Sequence, residues 1–170
     1  MRFKRDTFDK KLDVSTVADD EFSLPLVNAK EGNNGIMFYG REDDWEAAEM
    51  TIDIVNDGAV STASVYPQPQ KTGVLYNAYL IKANFPVNRE ILQFLSVTIY
   101  KSIKHKFSYE YKAAWNRVSK ENILLPVTPS HEIDFAFMET FVTAMQKLVV
   151  RGVAEYSARK MAAYGEACGK

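Results

Sequence analysis

The residues of this chain that could carry chemistry are few and scattered. His105 and His131 are its two histidines, and Cys168 is its one cysteine. The histidines fall in different predicted elements without motif spacing. Neither a metal site nor a Ser-His or Cys-His nucleophile pair has local support. Gly32-Asn33-Asn34-Gly35 lacks the further glycine and the Lys-Ser/Thr ending of a phosphate-cradling loop. Glu110-Tyr111-Lys112 has the Glu-x-Lys form that, on a strand, can hold a metal and position water. A nuclease would need a second carboxylate beside it, and Asp57 is the nearest candidate. These readings predict a chain that is not an enzyme and uses no cofactor or metal.

The richer chemistry is that of binding. Residues 101–120 interleave six Lys/Arg side chains with Phe107, Tyr109, Tyr111 and Trp115. Lys104, Lys106, Lys112 and Arg117 are candidates for phosphate contact, since cations that neutralise phosphates release counterions. Asn116 and Arg117 carry donors suited to a base edge, and Tyr109 adds aromatic bulk that can stack. The bland alternative is that Phe107, Tyr111 and Trp115, four residues apart, pack into the core. A second candidate is the acid-free segment from Ser61 to Thr72. Ser61, Thr62, Tyr66, Gln68, Lys71 and Thr72 can all hydrogen-bond there, and glutamine pairs bidentately with adenine. Pro67 and Pro69 would stiffen such a loop and lower its ordering cost on binding.

Charge sharpens this picture when divided along the chain. The net charge is −1, yet residues 1–60 hold 7 Lys/Arg against 14 Asp/Glu, while residues 61–120 hold 9 against 2. A basic middle third favours an anionic partner such as nucleic acid, unless the acidic third folds over it. With 46% hydrophobic and 25% charged residues, the composition is that of a globular chain. Charged residues interrupt it too often for the roughly 20 apolar residues of a membrane span, and no signal-like apolar stretch follows the N-terminus. The expected setting is therefore cytoplasmic, with no membrane partner.

The elements that must position these residues follow from periodicity. Residues 1–23 read as a polar surface arm. Short strands are predicted at 24–29 and 36–39, separated by a turn in which Asn-Gly supplies positive φ. Met50 to Val55 alternates like a half-buried strand, and 59–66 returns from it as a hairpin. Residues 67–73 read as an exposed loop, because proline cannot donate to a ladder. Val74 to Lys82 forms another strand. Asn88 caps a helix marked by Ile91, Leu95, Ile99 and Ile103. Ile123 to Val127 reads as a short strand. Asp134 then opens a long helix to about Ala163, with Met138, Phe141, Met145 and Leu148 on one stripe. Thirty helical residues span about 45 Å, longer than a small globule needs, so the surplus reads as an interaction arm. The class is α+β: one globular mixed sheet-and-helix domain over 1–133, then a long C-terminal helix and tail over 134–170.

Taken in order, several segments carry a family likeness: Leu24 to Gly35, the hairpin ending at Tyr66, Lys106 to Arg117, Ile123 to Val127, and Ile133-Asp-Phe-Ala-Phe-Met-Glu139 before a long helix. Together they resemble the target-recognition domain of type I restriction-modification specificity subunits, in particular versions serving type II enzymes that combine restriction and methylation in one complex. The resemblance covers residues 24–150. It implies a non-catalytic domain that reads one half of a split duplex DNA target. It also implies a spacer helix that packs on another helix, coiled-coil fashion, and docks a DNA methyltransferase, with or without a restriction subunit. Family subunits usually carry two such domains and two helices, whereas this chain has one of each. That makes it a half-subunit forming a homodimer through Met138, Phe141, Met145 and Leu148, or a fragment of a longer protein. The Glu-Gln pair often found after the Leu-Pro strand is replaced here by Thr128-Pro-Ser-His-Glu-Ile133. A reading from another class is a protein-interaction module whose basic face meets an acidic protein and whose helix joins a bundle.

Overall fold

The computed structural model describes residues 3–167 and divides the chain into two compact units, which meet in sequence at Leu125 and Pro126. Cys168 lies outside the described residues. The first unit runs β1 (Val14–Ser15), β2 (Leu24–Val27), β3 (Ile36–Gly40), β4 (Ala47–Ala48), β5 (Thr51–Val55), β6 (Val65–Gln68), β7 (Thr72–Val74), β8 (Ala78–Ile81), α1 (Arg89–Ile103) and α2 (Trp115–Val118). The second holds α3 (Phe135–Ala167). The class is α+β, as the periodicity indicates.

Two sheets organise the first unit. One orders its strands β1-β3-β2-β7-β4, with β2 and β7 parallel and the other pairs antiparallel; the other is β6-β5-β8, wholly antiparallel. Leu24, Leu26, Val14, Trp45 and Leu75 form the core beside the larger sheet. On the smaller sheet, α1 covers β6 and β5. Asn88 starts α1 by accepting the backbone N–H of Ile91 at 2.9 Å, and Ile91, Leu92, Leu95 and Ile103 make its buried stripe.

Several expected elements take other forms. From Phe3 onward the N-terminal segment is packed rather than a free arm. Phe3 and Phe8 sit 4.9 and 5.7 Å from the Trp45 ring, and Val14 is in the core. Asp13 tolerates its burial because it accepts Arg5 at 2.9 Å and the N–H of Asp9 at 2.7 Å. Residues 67–73 are not one exposed loop: Pro67 lies in β6 opposite Ile52, and Thr72 and Gly73 lie in β7. Proline is accepted there because β6 is an edge strand, where a missing donor breaks no outer ladder. The hairpin return is shorter than expected, since 59–64 form turns and the strand begins at Val65. Residues 74–82 split between the two sheets, with Asn77 at φ 52° turning the chain from one to the other. β5 is buried along its whole length, so its alternation does not mark a solvent face. Ile123 to Val127 forms no strand; Val127 makes a lone bridge with Ile133.

In the second unit, Asp134 accepts the N–H of Phe137 at 2.8 Å and so caps α3, which runs 33 residues, about 50 Å. No helix among the described residues is long and apolar enough to cross a membrane.

Candidate nucleic-acid interface

The candidates of segment 104–117 meet the turn 56–64 at one end of the three-stranded sheet, whereas Gln68 lies at the other end, opposite Thr51, and Thr72 belongs to β7 of the larger sheet. At the former end β5 gives way to the turn 56–64, and the segment 104–117 is stitched across it. Ala113 donates its N–H to Asn56 at 3.1 Å, and the Tyr79 hydroxyl donates to the Ala113 carbonyl at 3.0 Å. Lys112 forms an ion pair with Asp57. The Lys104 ammonium donates to the carbonyls of Val60 and Thr62 and to the Ser64 hydroxyl, at 2.8, 3.0 and 3.0 Å. Burial draws the Lys104 pKa down, against an opposing pull from Glu31. Lys104 thus closes the turn 58–64 from within.

The remaining cations are differently engaged. Lys106 pairs with Glu121 and Lys71 with Glu42, and the hydrogen bonds that Lys71 donates to Glu42 and Lys112 to Asp57 raise the pKa of each lysine. Glu42 and Asp57 come from the acidic first third, which therefore neutralises part of the basic middle third. Arg117 is held in another way. Its guanidinium lies 4.2 Å from the centroid of Tyr111, whose ring stacks on buried Phe107 at 5.5 Å and 9°. One nitrogen donates to the Lys112 carbonyl at 3.1 Å. Among the described residues, no carboxylate comes within ion-pair distance of it. Tyr109, Tyr111 and Trp115 are more than half exposed, and Asn116 is exposed beside them. Of the three aromatics at four-residue spacing, then, only Phe107 is core; the segment is not helical before Trp115, so no single face buries all three.

The second candidate segment is largely internal. Ser61, Thr62, Gln68 and Thr72 are buried and do not present their side chains to a ligand. Thr62 bonds back to Gly58, and Thr72 donates to the Gln70 carbonyl at 3.0 Å. Gln68 donates to the Asn34 carbonyl at 2.7 Å, while Asn34 donates to the Pro67 carbonyl at 2.7 Å. Tyr66 is partly buried, and its hydroxyl accepts the N–H of Gly32 at 2.9 Å. Tyr66, Gln68 and Asn34 thereby fasten the turn 32–35 onto β6, while Thr62 closes the turn 58–64. The sequence reads segment 32–35 as a turn and not as a candidate for binding. Glu31, Gly32 and Asn33 are exposed, and Asn33 and Asn34 have φ of 46° and 53°. The Asn-Asn-Gly signature of left-handed backbone was the available signal.

Glu110 and Lys112 lie in an irregular segment instead of on a strand, and Lys112 is committed to Asp57. Among the described residues, no group of three or more His, Cys, Asp or Glu is placed to hold a metal ion. On α3, Met138 is fully buried within the chain and is not offered to a partner. Phe141, Met145 and Leu148 are each about half exposed, as are Phe137, Val149, Val153 and Tyr156.

No family model matches this chain, and neither does any solved structure. Among curated proteins, it is 26% identical over 136 residues to the "Type II restriction enzyme BgcI specificity subunit S.BcgI" of Heyndrickxia coagulans. The match takes in 80% of this chain but 39% of that protein, so the chain spans about two fifths of its curated relative. The chain is similar, over most of its length, to part of a restriction-enzyme specificity subunit.

Proposed function

We propose that this chain recognises a short duplex DNA sequence as a specificity subunit, or half of one, in a restriction-modification system. In this role it performs no chemistry of its own and directs a methyltransferase, with or without a restriction subunit, to its target in the cytoplasm. The observation that carries the reading is the similarity to a specificity subunit across 80% of the chain. The exposed Tyr109, Tyr111, Trp115 and Asn116 beside Arg117, Lys106 and Lys112 support it as a DNA-facing surface. Lys106 and Lys112, whose side chains are exposed, add positive charge beside it. Lys104 and Thr62 position the turn 58–64 that borders this surface, and Tyr66 and Gln68 hold the turn 32–35 on β6. The half-exposed stripe Phe141, Met145 and Leu148 is the homodimer contact.

Selection of the purified chain on a random duplex DNA library, with sequencing of the retained fraction, tests the proposal. The expected result is an enriched short motif, and an inverted pair at fixed spacing if two copies act together. Absence of enrichment combined with weak salt dependence would instead favour a protein-interaction module.

A further inference from the structure

We infer that Arg117 is the guanine-reading residue of this surface, meeting the O6 and N7 edge of one guanine in the major groove. The inference rests on the DNA-recognition reading above. Of the four cations grouped in the 104–117 segment, Lys104 is spent on three internal acceptors, and Lys106 and Lys112 face carboxylates. Arg117 alone among them combines an unopposed charge with a fixed direction. The Tyr111 ring lies against its guanidinium, Phe107 backs that ring from the core, and the Lys112 carbonyl holds one nitrogen.

An arginine has five donors, and this arrangement uses one. The others include a parallel pair on one edge, which matches the two acceptors of guanine; two phosphate oxygens could accept the same pair, and library selection separates the two cases. Holding the side chain before binding also removes part of the rotamer entropy otherwise lost on complex formation. Tyr111 is then a positioning residue, acting through its ring and not its hydroxyl.

The test is the same library selection applied to the full chain and to Arg117→Ala, Tyr111→Ala and Tyr111→Phe, each first shown to unfold cooperatively. The wild-type motif should contain a guanine whose preference falls about ten- to a hundredfold in Arg117→Ala, as expected when one bidentate pair is lost, with other positions kept. Tyr111→Ala should weaken preference at that same base, and Tyr111→Phe should restore it. Equal weakening of all sequences in Arg117→Ala would make the residue a phosphate contact and overturn the inference while leaving DNA reading intact. An unchanged motif would do the same. A wild-type chain that enriches nothing would overturn both readings together.

Discussion

Asp53 sits in the middle of β5 with its carboxyl fully buried, and neither oxygen has a hydrogen-bond partner among the described residues. Burial drives its pKa well above the usual carboxylate range, and the nearby Tyr79 hydroxyl is pushed up as well, by its own burial first and by Asp53 second. The consequence for stability has a definite sign. In the unfolded chain Asp53 ionises near pH 4, whereas in the folded chain it holds its proton to higher pH. Its contribution is fully present below about pH 4 and is lost as pH rises through the folded value. We expect the urea midpoint of the wild type to decline from pH 5 towards pH 8 more steeply than that of Asp53→Asn. Parallel pH profiles for the two proteins would show that the carboxyl is not an uncompensated buried group.

At the scale of elements, the feature that most constrains the candidate surface is the join between the turn 32–35 and β6. Gly35 has φ +74°, and a Cβ there would come 2.5 Å from the Asp53 carboxylate and 3.0 Å from the Tyr66 ring. The turn can therefore approach β5 and β6 only with glycine at this place. Gly35→Ala should cost more than about 2 kcal/mol, combining left-handed backbone strain with overpacking. Chemical denaturation would measure it; a loss below 0.5 kcal/mol, on the order of an ordinary surface change, would mean that the turn is free to move away. Segment 104–117 shows the complementary principle. It has almost no regular structure, yet Lys104, Lys112 and Ala113 each bond to residues more than 40 positions away. A loop so tied presents Arg117 and its aromatic neighbours from a fixed base.

At the scale of the whole molecule, α3 carries an apolar stripe among the described residues. Phe137, Phe141, Met145, Leu148, Val149, Val153 and Tyr156 stay roughly half exposed along a helix of about 50 Å. Surface of this extent is characteristic of helices that meet other helices. Replacing both Met145 and Leu148 with Asp should convert a dimer to monomers in sedimentation analysis while leaving the unfolding of residues 3–125 unchanged. Dimers that survive the double substitution would remove this stripe from the interface. Met138 is no part of that test, because its burial would make any charged replacement a folding defect.

Periodicity and capping residues alone determined α1, α3, β2, β3 and β5, because each signal lies within a few positions of the structure it specifies. Asn88 and Asp134 cap the helices that follow them, and Asn33 to Gly35 turn where left-handed backbone is cheapest. The basic and aromatic character of residues 101–120 was equally visible. What only the tertiary structure decided is which polar side chains reach solvent. Ser61, Thr62, Gln68 and Thr72 look like a hydrogen-bonding surface in the sequence, but all four are buried: Gln68 bonds Asn34 in a turn brought alongside by the fold, while Thr62 and Thr72 close local turns. Lys104 and Arg117 are both cations in one short stretch, yet one is enclosed by carbonyls and the other rests on a ring. A side chain's chemistry is local, but whether its partner is protein or solvent depends on long-range contacts, and only folding supplies those.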